Sequence, residues 1–373
     1  MIHLIFGLPA VYVIASVLWP LPWPTPLKLV VALVILVASQ FHHWNRLSSG
    51  SIFAPEYPRL LVILFNWAIG ALVLLATVQA IVDLGSLASR ILPNGGWAVP
   101  DGWRYAAASG AMLAAALAVG QAIRVPPLKD IELPVRNLPP AFDGYRVLQL
   151  TDLHASRLFP ASWTRAVVAR SLASGADLIV VTGDFIDGTV AARSNDIEPL
   201  RGLRAPDGVW AVTGNHEYIF GAEAWRDRIS DLGIRILANE HTLLRRGDAE
   251  VVLAGVEDLS APRGHRRHDL DAALAGAPPG APVLLLDHQP RAARRAAARG
   301  VALQLSGHTH GGMVRGLNRL VARANGGFVS GAYDVDGMSL YVNNGTGLWP
   351  GFALRLGRPS ELTRITLRRA AGR

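Results

Sequence analysis

Charged side chains are scarce in the first third of the chain, and this scarcity limits the folds that this part can adopt. Residues 1–125 contain six of the 36 Lys and Arg residues and three of the 28 Asp and Glu residues. The whole chain is 51% hydrophobic and 17% charged, which is more apolar than a typical soluble enzyme. A backbone surrounded by lipid must satisfy its hydrogen bonds internally, so we predict a transmembrane helical region over residues 1–125.

Four apolar stretches lie in this region, at residues 2–19, 27–41, 60–82 and 105–123. A helix needs roughly 20 apolar residues to cross a bilayer, with a range of about 17–25, and the last two stretches satisfy this requirement. The first stretch could be a signal peptide, but it lacks a basic start and an Ala-x-Ala cleavage site. The second is short but carries no charge after Lys28. We expect four helices, with three as the alternative.

The ends of these stretches are rich in tryptophan, which prefers the headgroup level of a bilayer. The residues concerned are Trp19, Trp23, Trp44, Trp97 and Trp103. An even number of spans places both termini on one side, and the distribution of Lys and Arg favours the cytoplasm for that side. We therefore expect a multi-pass membrane protein whose C-terminal domain is cytoplasmic.

The pattern changes after residue 125. The proline-spaced segment 126–144 predicts a linker that contributes an edge strand. From residue 145 to residue 373, apolar runs alternate with helical segments, which predicts a layered α/β domain. The expected strands cover residues 147–150, 178–181, 209–212, 251–254, 283–286 and 302–305, and the expected helices cover residues 162–174, 222–232 and 291–299. Two late strands, at 340–343 and 363–367, have no helix between them and indicate a mixed sheet.

Metal-capable side chains follow five of the expected strands. They are Asp152 and His154, Asp184, Asn215 and His216, His288, and His308 and His310. Ligands of open α/β sheets bind beyond the carboxyl ends of the strands, so we expect these groups to converge. Imidazole suits Zn, Fe or Mn, and carboxylate suits Mg or Mn. A glycine precedes Asp184, Asn215 and His308, which permits tight turns and close approach of the backbone.

Composition and motifs also exclude several classes of function. The chain has no cysteine, so a metal site must use His, carboxylate and amide ligands. The net charge of +8 could attract anionic partners, but no nucleic-acid motif is present and the basic residues are scattered arginines, so we expect no nucleic acid. The chain also lacks a phosphate-binding glycine loop, a dinucleotide fingerprint and a nucleophile elbow.

The ordered set Asp152-x-His154, Gly183-Asp184, Gly214-Asn215-His216-Glu217, His288 and Gly307-His308-x-His310 resembles the calcineurin-like metallophosphoesterase superfamily. The resemblance runs from about residue 131 to the C-terminus. It is strongest to the bacterial branch that joins this domain to N-terminal membrane helices, with YkuE-like members. The resemblance implies a four-layer αββα sandwich and a location in the bacterial inner membrane.

The resemblance also implies a role for each motif residue. Asp152, His154 and His310 would bind a first divalent metal ion, whether Mn, Fe, Zn or Mg. Asn215, His288 and His308 would bind a second ion, and Asp184 would bridge the two. His216 would act as general acid or transition-state stabiliser, a task for which the ordinary pKa of histidine is suitable. Paired metals activate water to hydroxide and neutralise phosphate oxygens, so the expected reaction is hydrolysis of a phosphate ester or diphosphate.

Several functions are compatible with this chemistry. The substrate could be a phosphorylated small molecule or a phospholipid-like molecule, and one alternative is a lipid-nucleotide diphosphatase such as a UDP-diacylglucosamine diphosphatase. An alternative of another class is a membrane sensor or scaffold without turnover. The sequence assigns no substrate-binding residue and no oligomeric state.

Other polar residues receive weaker interpretations. Asp187 is expected to help cap a helix, and Glu217 to contact His216 or to begin a helix. Asp287 is interpreted as a neighbour of the metal site or as a strand end. Arg157 and Arg355 could reach a phosphate. The remaining histidines, His241, His265 and His268, are expected at the surface.

Overall fold

The computed structural model describes residues 2–91, 99–100, 102–262 and 265–370, and for residues 2–6 it describes the backbone alone. Trp97, expected at a membrane interface, lies outside these residues. The chain divides into two compact units. The first comprises Met1–Ala122 with Pro350–Leu354, and the second comprises Ile123–Trp349 with Arg355–Arg373.

The first unit is helical. Its helices are α1 (Ile2–Val13), continued by a π-helical turn (Ile14–Leu18), α2 (Thr25–Ser39), α3 (Phe41–Ser49), α4 (Arg59–Ser89) and α5 (Trp103–Ile123). Among the described residues, α4 and α5 are long and apolar enough to cross a membrane. The pair α2–α3 makes a third candidate if it is one span with a bend of 54°.

The described residues therefore offer two or three candidate spans, compared with the expected four and its alternative of three. The first stretch gives a shorter apolar helix over Gly7–Leu18. The second is interrupted between α2 and α3, where Gln40 leaves the helical conformation. The third and fourth stretches are confirmed as candidate spans. Leu60, Ile81 and Leu113 are each more than 60% exposed, as expected of side chains that face lipid.

A short segment from late in the chain belongs to this helical unit. Asn66, buried in α4, donates from Nδ2 to the carbonyl oxygen of Pro350 at 2.9 Å. Its Oδ1 accepts from the backbone N–H of Ala353 at 2.6 Å. One amide side chain thus satisfies a buried donor and a buried acceptor of the segment Pro350–Leu354, which would otherwise be costly to bury.

The second unit contains two six-stranded sheets. The first sheet has the order β1-β12-β2-β3-β4-β5. Strands β2 to β5 are parallel, whereas β12 is antiparallel to β2 and parallel to β1. The strands are β1 (Leu128–Val135), β2 (Arg146–Leu150), β3 (Leu178–Thr182), β4 (Val209–Val212), β5 (Arg235–Ile236) and β12 (Leu362–Arg369). The edge strand expected in the proline-spaced segment is β1.

The second sheet has the order β10-β11-β9-β8-β7-β6. Strands β7, β8, β9 and β11 are parallel, and β6 and β10 are antiparallel strands at the two edges. The strands are β6 (Glu240–Arg246), β7 (Ala249–Gly255), β8 (Val283–Leu286), β9 (Leu303–Ser306), β10 (Gly331–Val335) and β11 (Met338–Val342). The eight strands expected after residue 145 are all present, and the mixed character of the sheets is confirmed.

The two sheets pack face to face around one apolar core. Val147 and Val180 of the first sheet belong to the same buried cluster as Leu253, Leu284 and Leu305 of the second sheet. The alternation of strand side chains explains this arrangement, because every second residue points to the same face.

Helices cover the outer faces of the sheets. Leu285 on the outer face of the second sheet packs with Leu270 and Ala293. The first sheet is also buried on its outer face, at Leu148 and Ile179. The helices of this unit are α6 (Ala161–Leu172), α7 (Val190–Ile197), α8 (Asn215–Phe220), α9 (Ala222–Asp231), α10 (Leu270–Leu274), α11 (Ala293–Ala298) and α12 (Asn318–Ala324). The layered αββα arrangement agrees with the expectation.

Candidate metal centre

The metal-capable residues lie in the loops that follow five parallel strands. The loops after β2, β3 and β4 carry Asp152, His154 and Asp184, together with Asn215 and His216 at the start of α8. In the second sheet, the loops after β8 and β9 carry the other three, which are His288, His308 and His310. The face-to-face sheets thus contribute their carboxyl ends to one site, as the strand pattern predicted.

The backbone at this site is strained. Five of these residues have positive φ angles: 51° at Asp152, 47° at His154, 55° at Asp184, 68° at His308 and 50° at His310. Each such residue costs on the order of 1–3 kcal/mol, and such conformations cluster at functional sites. The left-handed turns explain how side chains close together in sequence can point into one cavity.

Glycines allow these loops to approach one another. A Cβ on Gly183 would lie 2.7 Å from the backbone nitrogen of Gly214. A Cβ on Gly307 would overlap the carboxylate of Asp152. The glycines next to the metal-capable residues are therefore required by close packing of the loops, as expected from the sequence.

One group of side chains comprises Asp152, His154 and His310, whose ligand atoms all lie within 4.8 Å of one another. Asp152 Oδ1 lies 3.9 Å from His154 Nε2 and 3.6 Å from His310 Nε2. The Asp152 carboxylate also accepts a hydrogen bond from the backbone N–H of His308 at 3.1 Å. This contact joins the loop after β2 to the loop after β9.

A second group comprises Asp184, His288 and His308, with Asn215 beside them. Asp184 Oδ2 lies 3.2 Å from His288 Nε2. Asn215 Oδ1 lies 3.1 Å from His288 Nε2 and 2.8 Å from His308 Nδ1. The Nδ1–H of His288 donates to the carbonyl oxygen of Thr182 at 2.7 Å, which directs Nε2 at Asp184 and Asn215.

Asp184 connects the two groups. Its Oδ2 also lies 3.8 Å from His154 Nε2, which belongs to the first group. Its Oδ1 accepts from the backbone N–H of His216 at 2.9 Å. The structure thus brings together all eight residues that the sequence indicated, and it places Asp184 between the two groups.

The donor set fits bound divalent cations. His154 is fully buried, and its Nε2 has no hydrogen-bond partner among the described residues. The nearest carboxylate oxygens are 3.8 and 3.9 Å away, too far for a direct hydrogen bond. A buried unpaired nitrogen is costly, and an ion between imidazole and carboxylates would remove that cost. The set of His, Asp and Asn suits hard or borderline divalent metals.

Burial and neighbouring charges shift the pKa values of several residues of the site. Burial opposes ionisation of Asp184, but His288 and His216 hold its pKa well below the usual range. Burial lowers the pKa of His308 to about 3, and the neighbouring His288 contributes. Burial also lowers the pKa of His310, with a contribution from His154. His308 and His310 are thus neutral at pH 7, the form in which histidine binds metal.

A buried carboxylate holds His216 and His154. Asp187 is fully buried, and its Oδ1 makes a very short contact with Nδ1 of His216. Its Oδ2 lies 3.1 Å from Nδ1 of His154. Burial opposes protonation of His216, but Asp184 and Asp187 outweigh this effect and raise its pKa to about 9. His216 is therefore a cation at neutral pH and has a proton to donate.

The expectation that Asp187 caps a helix is wrong, because α7 begins after Thr189 and Asp187 points into the site. Glu217 lies in the first turn of α8, which agrees with the interpretation that it begins a helix. It accepts hydrogen bonds from the backbone N–H groups of Asp184, Phe185 and Gly214 at 3.0, 2.8 and 2.6 Å. It thereby fixes the loop that carries Asp184.

Among the weaker candidates, Arg355 does not reach toward a phosphate. Its guanidinium is buried and donates to the carbonyl oxygens of His310, Asn344 and Gly347, and burial lowers its pKa to about 10. Arg157 is exposed.

The other histidines differ in exposure. His265 is exposed, as expected, but His268 is not a surface residue. Its side chain is 7% exposed, and its Nε2 lies 3.2 Å from Oδ2 of Asp287. His241 is half-buried, with Nδ1 2.8 Å from the carbonyl oxygen of Ala273.

Comparison with known proteins agrees with this geometry. The family model of the calcineurin-like phosphoesterases matches residues 145–312. A zebrafish (Danio rerio) transmembrane protein with metallophosphoesterase domain is 34% identical over 260 residues, covering 67% of this chain and 59% of that protein. The metallophosphoesterase YkuE of Bacillus subtilis is 30% identical over 238 residues, covering 62% of this chain and 82% of YkuE.

The chain spans 59% of the length of the transmembrane relatives that it matches in zebrafish and cattle. Among solved structures, a 5′-nucleotidase precursor from Thermus thermophilus is 15% identical with a TM-score of 0.39, covering 59% of this chain and 54% of that chain.

Proposed function

Because the chain belongs to the calcineurin-like metallophosphoesterase family, we propose that it is a membrane-attached phosphoesterase with two divalent metal ions. The observation that carries this proposal is the pair of side-chain groups that share Asp184. In the proposal, Asp152, His154 and His310 hold one ion, and Asn215, His288 and His308 hold the other. The ions, Mn, Fe, Zn or Mg, would activate water and neutralise the charge of the phosphate oxygens.

The residues of the chain would supply proton transfer and orientation. His216, protonated and held by Asp187, would donate its proton to the oxygen of the leaving group. Asp187 would also orient His154 through its other oxygen. Partners of this kind, which bind the metal ligands rather than the metal, fix the direction of the imidazole ring.

The proposed substrate is a phosphorylated molecule of the membrane or of its precursors. The apolar helices would attach the protein to a membrane, and Ile219, which lies in α8 three residues after His216, is 46% exposed. A lipid-nucleotide diphosphatase, with UDP-diacylglucosamine as a test substrate, is the more specific form of the proposal. A non-catalytic sensor is less well supported, because no metal-capable residue of the motif has been replaced.

An activity panel tests the proposal. The full chain, purified in detergent and supplied with Mn²⁺, is assayed with bis-p-nitrophenyl phosphate and with UDP-diacylglucosamine. Hydrolysis of either that is lost on chelation supports the phosphoesterase. Turnover of the lipid nucleotide alone favours the diphosphatase over a general phosphodiesterase. Bound metal without turnover on a broad panel of phosphate esters would favour the sensor.

We further propose that the protein lies in the bacterial inner membrane as a multi-pass protein, with the second unit in the cytoplasm. The absence of cysteine makes this testable. A single cysteine at exposed Asp248 should react with a membrane-impermeant maleimide only after the cells are opened. Labelling of intact spheroplasts would place the second unit on the other side.

A further inference from the structure

Residues 257–262 and 265–269 belong to one segment whose two ends are held together by one side chain. Oδ1 of Asn239 accepts from the backbone N–H groups of Glu257 and Asp269 at 3.0 and 3.1 Å. Nδ2 of Asn239 donates to the carbonyl oxygen of Arg267 at 2.7 Å. Surface loops with closed ends are compact and frequently functional. We call residues 257–262 and 265–269 of this segment the basic loop.

The basic loop is anchored on both sides of His288. Gln289 follows His288, and its Nε2 donates to Oδ1 and Oδ2 of Asp258 at 2.9 and 3.1 Å. Asp287 precedes His288 and pairs with His268. Asp258, Asp287 and Gln289 are all less than 9% exposed. The anchors of the loop are thus neighbours in sequence of a proposed metal ligand.

The other side of the basic loop contacts the helix that carries His216. The ring of His265 packs edge-on against Tyr218, with centroids 5.9 Å apart. The hydroxyl of Tyr218 donates to Oε2 of Glu257 at 2.5 Å. Tyr218 lies two residues after His216, the proposed proton donor. The basic loop therefore contacts both the segment that carries His288 and the helix that carries His216.

The basic loop carries two arginines at the protein surface. Arg266 and Arg267 are exposed, and neither guanidinium forms an ion pair with a described residue. The three acids of the loop have other hydrogen-bond partners: Glu257 accepts from Arg226, Asp258 accepts from Gln289, and Asp269 caps α10. A guanidinium matches the geometry of phosphate oxygens and binds them in pairs of charge-assisted hydrogen bonds.

We propose that the basic loop binds a second phosphate of the substrate, on the leaving-group side of the scissile phosphate, through Arg266 and Arg267. This proposal rests on the proposed function, because it assigns the diphosphate ester as the substrate class of the same site. A monophosphate ester would leave both arginines without a ligand.

The test compares a diphosphate with a monophosphate in one double variant, R266E/R267E. The kinetic probes are UDP-N-acetylglucosamine, which is soluble, UDP-diacylglucosamine in detergent, and bis-p-nitrophenyl phosphate, which has a single phosphorus. The binding probes are methylenediphosphonate and methylphosphonate, measured by calorimetry with Mn²⁺ present. The control is R165E/R204E, which reverses two exposed arginines that also lack ion pairs with described residues.

We expect R266E/R267E to lower kcat/KM for the diphosphate esters at least tenfold and to weaken methylenediphosphonate binding to the same extent. Bis-p-nitrophenyl phosphate and methylphosphonate should change less than twofold, and the control should change none of them. A response to UDP-diacylglucosamine alone would mean that the second phosphate must be part of a lipid headgroup.

Equal losses on both classes of probe, or no loss on either, would overturn the inference. If the wild-type protein hydrolyses no ester at all, the proposed function fails, and the phosphonate measurements still decide whether the basic loop binds a second phosphate.

Discussion

Replacing Asp187 with Asn tests the proposed chemistry without touching a proposed metal ligand. The carboxylates around His216 raise its pKa from an ordinary 6.5 to about 9. If Asp187 supplies about half of this effect, its loss lowers the pKa of His216 by roughly one unit, which is about 1.4 kcal/mol or a tenfold change in the acid dissociation constant. At neutral pH His216 would still be protonated, so the loss of activity there comes from the lost orientation of His216 and His154, and we expect kcat to fall about 10- to 100-fold.

The sign of the accompanying pH effect follows from the role of His216. A proton donor is active below its pKa and inactive above it. Because Asn at position 187 removes a negative charge, the pKa of His216 falls. The alkaline limb of the kcat profile should therefore move to lower pH by roughly one unit.

The assay is hydrolysis of bis-p-nitrophenyl phosphate from pH 6 to pH 10 at saturating Mn²⁺, with metal content measured on the same sample. The control is Asp248→Asn, at an exposed position in the turn between β6 and β7. A variant with unchanged kcat and an unchanged alkaline limb would refute the assignment of Asp187 to His216. If lost metal explained the whole fall in kcat, Asp187 would act only by orienting the metal ligand His154 and not by holding the proton donor His216.

Three further results are expected. Gly307→Ala should weaken metal binding at least tenfold, because its Cβ would overlap the carboxylate of Asp152. The control Gly110→Ala, whose Cβ would have no atom within 4 Å, should leave metal binding unchanged. Titration with Mn²⁺ measures the affinity of both variants, and equal affinities would contradict the packing argument. Asn66→Ala should destabilise the protein by about 1–3 kcal/mol, because the backbone groups of Pro350–Leu354 lose their buried hydrogen-bond partners. Thermal unfolding in detergent measures this loss, and an unchanged Tm would show that water replaces the amide. Chelation should lower the Tm, and Mn²⁺ at 100 times its Kd should restore about 2.7 kcal/mol; a Tm independent of metal would show that the site does not bind it in the folded state.

The metal-capable residues could be predicted because each group of them follows a buried strand, and because glycines beside several of them indicate tight loops. This pattern can be recognised within a short stretch of sequence. The convergence of the side chains at one edge of the sheets follows from the parallel direction of the strands. The inner strands were predictable for a similar reason. Four of them, β2, β3, β8 and β9, are buried along almost their whole length and appear as short apolar runs.

The parts that could not be predicted depend on contacts between distant segments. Asp187 is an ordinary aspartate in sequence, and its role appears only when His154 and His216 are beside it. The GD-x-x-D spacing from Asp184 was the one available signal. Arg355 could not be distinguished from an exposed arginine without the carbonyl groups that surround it. The edge strand β6 alternates poorly and three of its seven residues are charged, so its strand conformation depends on pairing with β7.

The membrane spans show the same limit. Length and composition identified α4 and α5, because these helices are long and continuously apolar. The break between α2 and α3 is not marked by a proline. The apolar stretch ends at Phe41, and the polar residues that follow it do not indicate that a second helix continues from the first at an angle of 54°.

Asp184 is proposed to hold both metal ions through one carboxylate, and the metal content of the purified full chain tests this proposal. Elemental analysis after reconstitution should find about two divalent ions per wild-type chain, and Asp184→Asn should lose most of them together with hydrolysis while its circular dichroism stays unchanged. A wild-type chain without stoichiometric metal, or an Asp184→Asn variant that keeps both ions and full activity, would contradict the account.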